Sequence, residues 1–451
     1  MIGTSTQRRT ERAPLLLCFI LAVLLTACLL LAAGPAHAAT TFSVNSSADR
    51  NDPSPGDGKC FTGNLLAIGE ECTLRAAIQE ANAFPGADTI DFGIPKIGVA
   101  TISPGSELPT ISKPVTIDGY TQGDARENTL AQPGKTNAVL KIELNGTSAG
   151  TNADGLVIDT PNVVVKGLVI NRFSIAGIYL SGGTGHKVEG NFLGTDPSGT
   201  TSTDGNGYGV NIFDTDGSTI GGATPEARNL ISGNDHFSAS SYGVWLQIAS
   251  GNKIQGNIIG IDRNGTESTL GNGNQGVKII NSSSSNTVGG NAAAKNTIAF
   301  NGGDGVSVES DSSTGNSILQ NSIYNNGGLG IDLGADGITP NDLGDADTGP
   351  NALQNRPLIS SATPFGASLI IGGKLSSTPN RTFDIQFFRN PFDNEGKTFI
   401  AQKSVTTNAN GNAPFAFRFA AAVPPGQKIT ATATRAGNTS EFSTPREVGA
   451  Q

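Results

Sequence analysis

From residue 155 to residue 333 the hydrophobic positions follow one short phrase, written seven times: glycine, an aliphatic residue, any residue, a second aliphatic. The copies start at Gly155, Gly177, Gly209, Gly243, Gly276, Gly305 and Gly330, as in Gly243 Val244 Trp245 Leu246. Alternation of this kind makes a short strand with one apolar face. A strand this short cannot bury that face alone, so the array must stack copy on copy, which is the sequence signature of a solenoid. A longer echo sets the register: residues 187–200 recur at 253–266 with 7 of 14 positions identical, an offset of 66 residues. At roughly 20–25 residues per coil of a parallel β-helix, this unit predicts three coils. Asn191, Asn229, Asn234, Asn257, Asn296, Asn301 and Asn321 close such phrases. Asn tolerates left-handed turns and its amide can bond along a stack.

The pattern changes at both ends. Leu74, Ala77, Ile78 and Ala81 have the spacing of one helical face, with Thr73 as N-cap and Pro85 beyond the end. This predicts a helix over 73–83 that plugs the open apolar end of the coils. After Pro357, Phe383, Ile385 and Phe387, then Phe415, Phe417 and Phe419, then Ile429, Ala431 and Ala433 alternate with polar residues between Asn and Gly turns. That predicts a small antiparallel β-sandwich over 358–446. The competing reading has these strands merely extend and cap the helix. The expected organisation is all-β: a β-helix over 39–356 with its capping helix, then the sandwich.

The run at 72–82, CTLRAAIQEAN, followed by DTIDF at 88–92 and PVTIDGYT at 114–121, resembles the CSLREA-type family of exported bacterial proteins. Thr73 and Ala76 depart from the family's name sequence. The resemblance covers nearly all of the chain after residue 38. It implies a right-handed parallel β-helix of pectin-lyase-like fold and no settled activity.

Composition agrees: 60 Gly, 23 Pro and 15% charged residues describe a turn-rich β protein. Arg8, Arg9 and Arg12 precede an apolar stretch at 15–33 and then Ala36 His37 Ala38, a Sec-type signal peptide cut after Ala38. A membrane anchor and a lipobox at Leu25 Thr26 Ala27 Cys28 are the competing readings. Export places the protein outside the cell or on its surface. Losing residues 1–38 leaves a net charge of about −11, which excludes nucleic acid and anionic membrane as partners. The two cysteines that remain, Cys60 and Cys72, are expected to form a disulfide.

Candidate chemistry is sparse. Polygalacturonase-like enzymes carry Asn-Thr-Asp, an Asp pair, Gly-His-Gly and Arg-Ile-Lys along successive coils. Here only Gly185 His186 Lys187 comes near. Asp214, Asp216, Asp235 and His236 are the remaining catalytic candidates, for a lyase or glycosidase with a non-standard carboxylate site. The ordinary reading of each is a turn residue. Binding has the better case. Tyr179, Asn211, Trp245 and Lys278 occupy the outward position of their phrases, and Tyr179 and Trp245 stand one 66-residue repeat apart. Such a column suits stacking and hydrogen bonding to sugar rings. Asp332, Asp336, Asp342, Asp345 and Asp347 form an oxygen-rich, Gly-permitted segment that suits structural Ca²⁺, although no Glu completes an EF-hand. Asp49, Asp52 and Asp57 are a second acidic group. The sequence thus points to a monomeric, exported module that binds a polysaccharide or cell-surface glycan. A glycan-cleaving enzyme and a purely structural scaffold are the alternatives.

Overall fold

Aliphatic pairs spaced two apart are strand formers, and in the computed structural model all seven pairs lie on one parallel sheet with both members buried. The model describes residues 1–3, 38–202, 204–236, 240–266, 269–391 and 393–449; the expected export signal falls almost wholly outside them. The sheet's strands are β1 (Leu156–Asp159), β2 (Ala176–Gly182), β3 (Tyr208–Phe213), β4 (Tyr242–Gln247), β5 (Val277–Ile280), β6 (Val306–Val308) and β7 (Ile331–Leu333). Between successive strands the chain passes through a nine-stranded and then an eight-stranded parallel sheet, so each coil contributes to three faces of a right-handed parallel β-helix. Aliphatic residues from all three faces meet in one continuous apolar core.

The glycines of the phrase are required by the closeness of the coils. A Cβ on Gly243 would lie 2.5 Å from the carbonyl oxygen of Gly276. No other residue fits there.

The coil length expected from the 66-residue echo is corrected by the register. Tyr179 pairs with Asn211 and Asn211 with Trp245, so the unit is two coils, of 32 and 34 residues, not three. The extra residues sit in the long connections that lead back to β3 and β4, where no strand constrains length.

Asparagine holds the corners, in three separate ladders. Asn191, Asn229, Asn257, Asn296 and Asn321 bond side chain to side chain at 2.9–3.3 Å. Asn234 and Asn301 belong to a second column with Asn206, Asn272 and Asn326. Asn252, Asn286 and Asn316 form a third, ending on Asn351. His186 stands above that third column, 1% exposed, its backbone N–H donating to Ser218 and its ring against Gly182 and Val163. Burial lowers its pKa. It is a corner residue.

Both ends of the stack are closed. Helix α1 (Leu74–Ala83) begins at Thr73, whose hydroxyl accepts from Ala76 N–H, and buries Leu74, Ala77, Ile78 and Ala81 against the first coils. Cys60 and Cys72 are joined in a disulfide beside it. Arg75 of α1 grips Asp49 with two hydrogen bonds of 2.7 and 3.0 Å and donates to the carbonyls of Ser106 and Glu107. Asp52 accepts from Ser54 and Phe61, and Asp57 from Lys59, so Asp49, Asp52 and Asp57 serve the loop itself.

At the other end, strands between Leu358 and Glu447 form two antiparallel sheets around Leu369, Ile371, Phe383, Ile385, Phe387, Phe415 and Ile429. This unit has its own core and also caps the helix. Its side chains accept the N–H groups that the last coil would otherwise present to a next one. Ile318 donates to Thr439, Gln320 to Gln386, Asn325 to Asp393 and Asn326 to Glu395, while Leu333 and Thr339 donate to Glu441. Burial pushes the Glu395 carboxyl up to about 8 against the opposing hydrogen bonds from Asn326, with Asp393 and Asp304 adding to the rise. Among the described residues no helix is long and apolar enough to cross a membrane.

Candidate binding face

In each strand of the seven-stranded sheet the residue between the two aliphatics points away from the core. Register pairing places Val157, Tyr179, Asn211, Trp245, Lys278, Ser307 and Asp332 in one column. Tyr179, Asn211, Trp245 and Lys278 are therefore direct neighbours up the stack. Asn211 is only 7% exposed, because Gln247 donates to its side chain, so it contributes shape more than a free amide.

Two further aromatics, absent from the sequence expectation, complete the face. Tyr208 and Tyr242 pair in register and stack with centroids 5.5 Å apart and planes 10° from parallel. Both lie against Trp245, at 4.8 and 5.3 Å. Each immediately precedes its phrase glycine, and strict alternation would send positions 242 and 245 to opposite faces. The shared 34-residue step of the two tyrosines was the one available signal.

Trp245 Nε1 is buried without a hydrogen-bond partner among the described residues. Buried indoles normally pair that N–H, and leaving it unpaired costs about 1–3 kcal/mol. The ring is held by its aromatic contacts with Tyr208 and Tyr242.

Charged groups edge the rings. Lys278 Nζ sits 3.0 Å from Glu309 and 5.0 Å from the Tyr242 centroid, a cation–π contact. On the side of the earlier coils, Asp154 accepts from Ala176 N–H at 2.7 Å, and its own N–H donates to Glu107. Burial, partly opposed by the Ala176 bond and reinforced by Glu107, raises Asp154 to about 6. The phenols of Tyr179 and Tyr208 are shifted up, first by burial and then by neighbours that include Asp154.

The catalytic candidates do not converge. Asp214 and Asp216 lie in the turn after β3, where Asp216 accepts from Ser250 N–H. Asp235 and His236 precede β4, both exposed, with Asp235 accepting from Gly205 N–H and the His236 backbone N–H donating to Asn206. A six-residue strand, about 20 Å long, separates the two turns. No sugar bond could lie between them with catalytic contact to both.

The acidic segment divides. Asp342, Asp345 and Asp347 bring carboxylate oxygens within 4.8 Å of one another. Asp336 lines a cleft of about 640 Å³ with Asp342 and Asp347 but stands outside that group, and Asp332 is buried on β7, accepting from Ala335 and Gly337 N–H. Asp332 belongs to a strand whose direction is fixed by the core, which corrects the expectation of five joint ligands. Asp342 and Asp345 already accept several hydrogen bonds, whereas Asp347 Oδ1 is buried and unpaired among the described residues. Burial and the neighbouring carboxylates raise both Asp345 and Asp347.

No family model matches the sequence, and no curated protein does. Among solved structures, a full-length tailspike protein 2 of an Escherichia coli O157:H7 bacteriophage is similar at 11% identity over 80% of this chain, with a TM-score of 0.26; the match spans 58% of the tailspike chain. The ORF18 protein of Geobacillus virus E2 is similar at 12% identity over 98% of this chain and 80% of its own, also at a TM-score of 0.26.

Proposed function

We propose that this protein is an exported surface or extracellular module that binds polysaccharide along the outer face of β2 to β5. The observation that carries the reading is the packed cluster of Tyr208, Tyr242 and Trp245, one and two coils beyond Tyr179 on the same face. Pyranose rings stack on such surfaces, and the strand direction gives a linear polymer a track across successive coils. Separation of the carboxylate candidates into opposite turns favours binding over cleavage.

Trp245→Ala is expected to weaken retention on a glycan matrix at least tenfold, a loss of about 1.4 kcal/mol or more, while leaving the melting temperature within a few degrees of the parent. Retention assays over a panel of immobilised polysaccharides, run beside an assay for new chain ends, check this. Unchanged retention, or new chain ends, would reject the reading.

The Asp342, Asp345 and Asp347 group is proposed to hold a structural Ca²⁺, its hard oxygens and the unpaired Asp347 Oδ1 matching that ion. A ligand that binds only the native state stabilises it. Chelator should therefore lower the melting temperature and added calcium restore it; equal melting with and without chelator removes the ion from the account.

A further inference from the structure

The sign of the field around the aromatic cluster decides which polymer it admits. Across β1 to β7 and the residue before each phrase glycine, the charged side chains are Asp154, Asp159, Lys278, Asp304 and Asp332. Lys278, the one cation among them, is already matched by Glu309. Glu107, exposed, adds its carboxylate beside buried Asp154. Asp154 accepts from Ala176 N–H, and Ala176 is the register partner of Tyr208, so this carboxyl group lies two rungs from a ring on which a sugar would lie. A polyuronate would bring more negative charge to this edge and be repelled.

The same surface already shows what it accommodates. The Lys278 ammonium rests over the Tyr242 ring, a contact between a primary amine and the aromatic cluster made within the molecule itself. A ligand amine on the earlier-coil side of Tyr208 would find the same kind of ring face, with Asp154 two rungs away and the Glu107 carboxylate beside Asp154.

Resting on the glycan-binding reading above, we propose that the polymer this face selects carries free amino groups, a hexosamine chain at least partly without N-acetyl substituents. Ring stacking supplies affinity common to many sugars, and the Glu107 and Asp154 edge supplies the preference. Glu107 meets the ligand directly, and Asp154, buried behind it, adds its negative charge when ionised.

The test uses the chain from Ala39 onward, since residues from Thr40 form one compact unit. Calorimetry or retention would compare glucosamine oligomers, N-acetylglucosamine oligomers of equal length, a neutral glucan and polygalacturonate, at low and high ionic strength. The glucosamine oligomer should bind about tenfold tighter than its acetylated counterpart, a preference of about 1.4 kcal/mol, and high salt should shrink that margin. The double variant Glu107→Gln and Asp154→Asn, which keeps an acceptor oxygen for Ala176 N–H, should lose the margin. A melting curve like the parent's certifies its fold. Equal binding of both oligomers, preference for polygalacturonate, or a margin unchanged in the double variant overturns the amino-sugar inference and leaves the aromatic face intact. If no polymer binds, or if Trp245→Ala binds each as the parent does, the glycan reading itself fails and the inference falls with it.

Discussion

Val244→Asp is expected to abolish cooperative melting of the coil stack. Val244 is fully buried at the centre of the seven-stranded sheet, with Val210 and Val277 on the adjacent rungs. A carboxyl there has no donor to meet it, and its pKa would have to rise by about 3–5 units for it to stay neutral. At 1.36 kcal/mol per unit that costs about 4–7 kcal/mol at neutral pH. Domain stabilities are about 5–15 kcal/mol, and in a stack each coil is supported only by its neighbours, so the damage should spread in both directions. Circular dichroism during heating checks this, with Val244→Ile as the control. A cooperative transition within a few degrees of the parent's would show that the coil interior is not dry there.

Asn257→Ala should produce the second-largest loss, about 3–5 kcal/mol. Asn257 accepts from Asn229 and donates to Asn296 and to the carbonyl of Ile220, at 2.8–3.1 Å, while 1% exposed. Alanine would orphan donors or acceptors on three residues, each costing about 1–3 kcal/mol in a site that water does not reach. Asn257→Asp keeps the acceptor toward Asn229 but sets its second carboxyl oxygen against the Asn296 and Ile220 oxygens, so it should lose at least as much as the alanine variant. Denaturant unfolding of the three proteins measures the order. Equal midpoints for parent and alanine variant would mean that the ladder adds register without stability.

The interior was readable in the sequence because a two-residue period and repeated glycines leave one way to bury seven aliphatic pairs. Asn residues signalled the corners, but their columns could not be told apart. Connections of unequal length stand between them, and only the register separates Asn234 from Asn257. The same unequal connections hid the true coil length. Tyr208 and Tyr242 are not legible in the sequence because strict alternation assigns position 242 to the face opposite position 245, whereas the rings of Tyr242 and Trp245 are in contact. Among the five aspartates proposed as joint ligands, sequence proximity misled at Asp332. It lies on a core strand, whereas Asp342, Asp345 and Asp347 share one loop.

The closure of the last coil has a consequence for assembly. A parallel stack of coils is in principle open-ended, since every rung offers the next the same hydrogen-bonding pattern, and a second molecule could continue it. Here Thr439, Gln386, Asp393, Glu395 and Glu441 occupy those positions with acceptors that belong to no strand of the stack. The chain thus carries its own terminator. Its rungs are finite in number, and a second copy that met this end would find those N–H groups already taken.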